Sequence, residues 1–224
     1  MNRNQLLIGG GVVVLILAGI FYWSFFRESE VASEDISESV VELDASAGNV
    51  FTIDPSRSTA SFTIAEILRG EDFVVLGETD QVGGQVAFDP ADPTSAEIGE
   101  IVINARTFVT DNSMRNNAIN NRILFTDDFE FVRFQPTAIN GLPSSVTIGE
   151  AIAAEIVGDL TIMDTTLPVT FDTTLTYISD SEITGSASST IIYGDFGVDV
   201  PLTPSVSFVA DELTMMLDFV ATSQ

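Results

Sequence analysis

INARTFVTDNSMRNNAINNRILFTDDFEFVRFQPT, residues 103–137, interrupts an otherwise strand-rich chain with a polar, Asn- and Arg-dense segment. Thr110, Asp111, Asn112 and Ser113 offer side chains able to cap a helix start. Met114, Ala118 and Arg122 then fall on one helical face. Asn is a poor helix former, because its side chain competes for backbone hydrogen bonds, so the spacing predicts a short, irregular helix. Phe129, Phe131 and Phe134 follow in a strand that ends at Pro136.

On both sides of this insertion the period is two. Ala60, Phe62 and Ile64 alternate with Thr59, Ser61 and Thr63; Phe171, Thr173, Leu175 and Tyr177 alternate with Asp172, Thr174 and Thr176. Leu213, Met215, Leu217 and Phe219 repeat the pattern near the end of the chain. Such alternation marks strands with one face on a core and the other in water. Asp54-Pro55, Gly83-Gly84, Asp89-Pro90, Asn140-Gly141 and the segment from Pro201 to Pro204 supply turns between them. Strand after strand with short connections and little helix predicts an all-β antiparallel barrel or sandwich over residues 50–222, with eight or so strands and one short helix insertion.

Two segments precede that domain. Leu6 to Phe26 carries no charge, and its 21 residues would span roughly 31 Å as a helix, enough for a bilayer core. Tyr22 and Trp23 stand where interfacial aromatics sit. A cleaved signal peptide is the competing expectation, but the run exceeds a usual signal core and no small-residue cleavage site follows. Residues 1–27 are thus expected to be a membrane anchor, with the domain on the extracytoplasmic side of a bacterial cell membrane. Residues 28–49 hold seven acidic residues and few large apolar ones, the composition of a disordered spacer; fully extended it would reach about 70 Å.

Composition removes whole classes of chemistry. The chain has no His and no Cys, and all eight basic residues are Arg. A phosphate loop with its Lys, a Schiff base, a His- or Cys-ligated zinc site, a thiol nucleophile and a Ser-His-Asp triad all lack a necessary residue. Asp195-Phe196-Gly197 matches a kinase tripeptide, yet a kinase also needs a Lys and a catalytic-loop His. Asp127, Asp128 and Glu130 could hold Ca²⁺ or act as a carboxylate pair, but without EF-hand spacing they read as a solvated acidic turn. All 33 acidic residues follow Arg27 and face six Arg there, a net charge of −27. That field repels nucleic acid. No metal, cofactor or enzymatic activity is expected.

The order of several short motifs resembles the YceI family, lipocalin-like polyisoprenoid-binding proteins of the bacterial envelope. FTIDPSRSTASFTI (51–64) is similar to the family's opening strand pair, and Gly84 to Asp89 to its G-x-I-x-F-D segment. Ile101 to Thr107, the Arg-bearing helix and Phe134-Gln135-Pro136 follow in the family's order, as do Gly158-Asp159-Leu160-Thr161 and Asp195-Phe196-Gly197. Met163-Asp164 stands where relatives carry His-Gly, Tyr193 where an Arg is common, and Ser113-Met114-Arg115 where His-Leu-Arg is usual.

The resemblance implies a lipocalin-like eight-stranded barrel around an apolar pocket for an isoprenoid or fatty lipid. Candidate lining residues before and within the insertion are Phe62, Ile64, Phe88, Ile101, Ile103, Phe129, Phe131 and Phe134. Beyond it they are Leu160, Ile162, Phe171, Leu175 and Phe196. Periodicity alone does not separate a hollow interior from a filled one. Arg106, Arg115, Arg122 and Arg133, four of the domain's six Arg, either form surface ion pairs or hold the head group of a ligand. The implied function is a membrane-tethered lipid carrier. The alternatives are a structural barrel with a filled core and, further off, a carboxylate-dependent hydrolase, which needs two carboxylates about 5–10 Å apart.

Overall fold

The structure is a computed structural model that describes residues 36–43 and 48–223. The expected membrane anchor, at residues 6–26, lies outside the described residues. No helix among the described residues is long and apolar enough to cross a membrane.

Twelve strand segments among the described residues form one antiparallel sheet. In chain order they are β1 (Asn49–Ile53), β2 (Thr59–Leu68), β3 (Glu71–Thr79), β4 (Val82–Gly83), β5 (Gln85–Phe88) and β6 (Glu97–Ile98), followed by β7 (Ile101–Asn104), β8 (Phe131–Asn140), β9 (Ala151–Ile162), β10 (Thr165–Ser179), β11 (Glu182–Ile192) and β12 (Val206–Thr222). The alternation predicts about eight. The larger number arises because short pieces at one end, β1, β5 and β6, pair as a flap, and because β3 breaks at Asp80 and Gln81 before β4.

Pairing runs β4-β7-β8-β9-β10-β11-β12 and on to β2 and β3. Since β3 leads directly into β4, the sheet curls until its two borders meet in one stretch of chain. β12 is the longest strand at 17 residues. It pairs with β11 on one side and with both β2 and β1 on the other. Its register against β2 jumps from Val209/Glu66 to Leu213/Ile64, a bulge that bends it.

The turns follow local chemistry. Arg69 and Gly70 join β2 to β3 with φ of 54° and 88°, the two positive angles of a type I′ hairpin turn. In β8 the register shifts between Pro136 and Ala138, as expected where Pro cannot donate to the ladder.

Between β7 and β8 the insertion forms a helix, Ser113–Ala118, capped by the Asn112 side chain, which accepts from the backbone of Met114 and Arg115. A π-helical turn, Ile119–Ile123, completes it. β8 begins only at Phe131, so Phe129 belongs to the turn before it, where its N–H donates to Phe125 O.

Within the stretch read as an acidic spacer, residues 36–43 pack on the sheet. Ile36 is buried in a single helical turn. Val40 lies against Gly83, and the Leu43 N–H donates to Gln85 Oε1 at 2.7 Å. Only Ile36–Ser39 is helical; beyond it the chain runs on without regular structure, and Ile36, Val40 and Leu43 supply the contacts despite the surrounding acids.

Candidate lipid-binding cavity

Two apolar clusters divide the interior. One holds Phe51, Ile53, Val82, Phe88, Tyr177, Phe219 and Ala221; the other holds Phe134, Ile156, Leu160, Ile162, Phe171, Ile191 and Phe196. Between and above them lies a cavity of about 720 Å³, within the usual range for small-molecule sites. Most of its wall comes from the inward residues of β2, β7, β8, β9, β10, β11 and β12. The helix and the segment from Val198 to Val206 border one end. Met114 and Leu202 line the cavity and are also 57% and 61% exposed, so this end opens to solvent.

Glycines make room for the aromatic lining. A Cβ on Gly77 would stand 2.3 Å from the Phe62 ring, and one on Gly158 would stand 2.6 Å from the ring of Phe134. Each ring therefore occupies the space a side chain on that glycine would fill. Phe134 also meets Phe171 edge-on at 4.8 Å between centroids.

Of the residues proposed from the sequence, Phe62, Ile64, Ile101, Ile103, Phe134, Leu160, Ile162, Phe171 and Leu175 lie on the cavity wall. Four others lie elsewhere. Phe88 packs against Tyr177 in the closed end, 5.6 Å between centroids. Phe196 is buried behind the wall in a turn closed by Gly197. Phe129 is half-buried in the turn before β8. Phe131 follows the strand period: Val132 and Phe134 are on the wall, so Phe131 and Arg133 point the other way, with the Arg133 guanidinium 5.3 Å from the Phe131 ring centroid.

The four Arg separate in the same way. Arg133 pairs with Glu100 at 2.7 Å on the outer face. Arg106 is neither a surface residue nor on the cavity wall. Its side chain is 7% exposed and reaches Glu130 at 3.2 Å and the Thr126 carbonyl at 2.6 Å. Asn104 donates to Glu130 at 2.8 Å, and Asn120 donates to the Arg106 carbonyl at 3.1 Å. Asn104, Arg106, Asn120 and Glu130 thus form a polar network that fastens the insertion to β7. Only Arg115 and Arg122 stand on the wall.

The sequence expectations passed over several wall residues. Leu213, Met215 and Leu217 line the cavity, and their alternation was the available signal. Glu66 was also missed. Continuing Ala60, Phe62, Ile64 by one step places position 66 inside, and this carboxylate is indeed buried, with its side chain 7% exposed. Arg115 meets Glu66 at 2.8 Å. Its other nitrogen meets Asp111, and its guanidinium lies 5.7 Å from the Phe73 ring centroid. Among the described residues no cluster of three or more His, Cys, Asp or Glu is placed to hold a metal ion.

The family model for the YceI-like domain matches residues 51–221. The chain belongs to the YceI-like domain family. Among solved structures, BcnA of Burkholderia cenocepacia is similar at 22% identity over 76% of this chain and 99% of its own, with a TM-score of 0.61. A polyisoprenoid binding domain from Saccharophagus degradans, implicated in plant cell wall breakdown, has the same TM-score at 10% identity, over 78% of this chain and 98% of its own. The YCEI protein of Campylobacter jejuni is more distant, with 16% identity, 64% and 81% coverage and a TM-score of 0.51. At these identities the likeness of this YceI-like chain to those structures is one of fold. No curated protein sequence matches the chain.

Proposed function

We propose that this YceI-like chain binds and carries a polyisoprenoid or another long apolar lipid, tethered to the bacterial cell membrane through residues 6–26 with its domain on the extracytoplasmic side. The observation that carries the proposal is the cavity: about 720 Å³ enclosed by Phe, Ile, Leu, Val and Met side chains and open at one end. Counting β3 and β4 as one strand, the pairing follows a ring of eight, the lipocalin-like barrel that suits one extended ligand. The polyisoprenoid binding domain of Saccharophagus degradans shares this fold, which favours a prenyl chain as the ligand.

Binding fits the energetics better than catalysis. A methylene leaving water gains about 0.8 kcal/mol, but a prenyl chain moving from a bilayer into an apolar cavity gains almost none of it. Exchange between membrane and protein is then near balance, decided by shape and by contacts to the polar end of the lipid. Tethering makes the encounter more frequent without altering intrinsic affinity. Among the described residues on the wall, Glu66 is the sole carboxylate, so the pair that hydrolysis would need is missing there. The size of the cavity argues against a purely structural barrel.

The test is mass spectrometry of organic extracts from the full-length chain purified from membranes, followed by reloading with a prenyl lipid. The expected result is a stoichiometric long-chain lipid that Ala187→Phe, which fills the wall, excludes. A chain that is empty on purification and takes up no prenyl lipid would overturn the proposal.

A further inference from the structure

Glu66 is out of place by every rule of composition. It occupies an inward position of β2 on a mostly apolar wall, where it is the sole carboxylate among the described residues, and its side chain is 7% exposed. A carboxylate there must be paired or it would be expelled. Arg115 supplies one contact, to Oε1 at 2.8 Å. Among the described residues no protein group donates to Oε2, so one oxygen of this carboxylate is left to accept from water or from a ligand on the wall of the cavity. Arg115 is itself shared, because Asp111 holds its second nitrogen. Glu66, Asp111 and Arg115 together carry one net negative charge. The other wall cation, Arg122, lies seven residues further along the insertion, about 10 Å at helical rise.

We infer that the cavity accepts a lipid whose polar end is an uncharged hydrogen-bond donor, a hydroxyl, bound by Glu66 Oε2, and that it rejects lipids ending in phosphate or carboxylate. The inference rests on the lipid-carrier function proposed above and names the class of its ligand. A hydroxyl donating to Oε2 satisfies the idle lone pairs of a charged acceptor, the stronger kind of hydrogen bond. An anionic end group at the same place meets a like charge in a poorly solvated wall, with the nearest guanidinium already committed to two carboxylates. Glu66 is then a specificity-determining residue, and Arg115 positions it.

The experiment uses the full-length chain in detergent and three probes with the same twenty-carbon chain: geranylgeraniol, its methyl ether and its monophosphate. The alcohol is expected to bind about tenfold tighter than the ether, which cannot donate. It should bind at least about a hundredfold tighter than the monophosphate. In Glu66→Gln, a substitution of equal size, affinity for the monophosphate should rise by about tenfold or more. Misfolding cannot produce such a gain. Equal binding of the three probes by the unsubstituted chain, or tighter binding of the monophosphate, overturns the inference and leaves the lipid-carrier function standing. Binding of none of the three overturns both.

Discussion

The Phe62 ring lies over Gly77 on the neighbouring strand, with its edge 2.3 Å from the place a Cβ would occupy. The two residues are direct cross-strand partners. The glycine gives up side-chain packing, and the ring covers its backbone while forming part of the cavity wall. The pair links a sheet register to the shape of a binding site.

Gly77→Ala therefore acts on both. The added methyl forces Phe62 off its rotamer, at a cost of about 1–3 kcal/mol for overpacking, and turns the ring into the cavity. A lower melting temperature together with reduced lipid loading is the expected outcome, read by calorimetry and by mass spectrometry of extracts. Gly77→Ala with Phe62→Leu should recover most of the stability.

Arg106→Ala should be the most damaging of the Arg substitutions. Its guanidinium is buried against Glu130 and the Thr126 carbonyl, so its removal strands a carboxylate and a carbonyl inside the protein. Breaking a buried pair from one side costs about 3–5 kcal/mol. Arg57→Ala, at a pair with Glu182 whose Arg side chain is 46% exposed, should change stability little, because solvent screens an exposed pair. Urea denaturation of the two variants separates them.

Tyr177 predicts an alkaline limit. Its hydroxyl donates to Asp180 at 2.5 Å. That hydrogen bond, then burial and the nearby carboxylates of Asp180 and Asp89, push its pKa up to about 12. The folded state thus holds the phenol proton more tightly than the unfolded chain, whose Tyr titrates near 10. The contribution is complete below about pH 10 and is lost as pH rises towards 12. Melting temperature measured across that window should fall more steeply in the unsubstituted chain than in Tyr177→Phe, which starts lower and titrates less.

Arg69→Asn should stabilise the protein. Arg69 sits at φ 54° in an exposed two-residue turn with Gly70 at 88°, and Asn tolerates that region better than a long side chain does. A gain of about 0.5–1 kcal/mol is expected from thermal unfolding, with no change in lipid loading because the turn is off the cavity wall.

Much of this was written along the chain. Period two in 59–64, 171–177 and 213–219 assigned the inward faces correctly, because a strand turns each successive side chain to the opposite side. The run Thr110 to Ser113 marked the helix start as a group of capping side chains, and the structure shows Asn112 to be the cap. The absence of His, Cys and Lys removes residues that most of the common catalytic chemistries need. Other features depend on contacts between distant residues. Periodicity names a face but does not say whether opposing faces meet or leave a gap, so the cavity between Phe62 and Phe171 had no sequence signature. Phe131 and Phe134 look alike in the sequence, yet three residues along a strand place them on opposite sides of the sheet. Arg106 and Arg115 also look alike. Only the packing buried one against Glu130 and set the other beside Glu66, 49 residues away. Local pattern determined the elements and their faces, because it arises from backbone geometry. The tertiary structure decided which charges are buried and where the hollow lies, because both depend on which distant residues the register brings together.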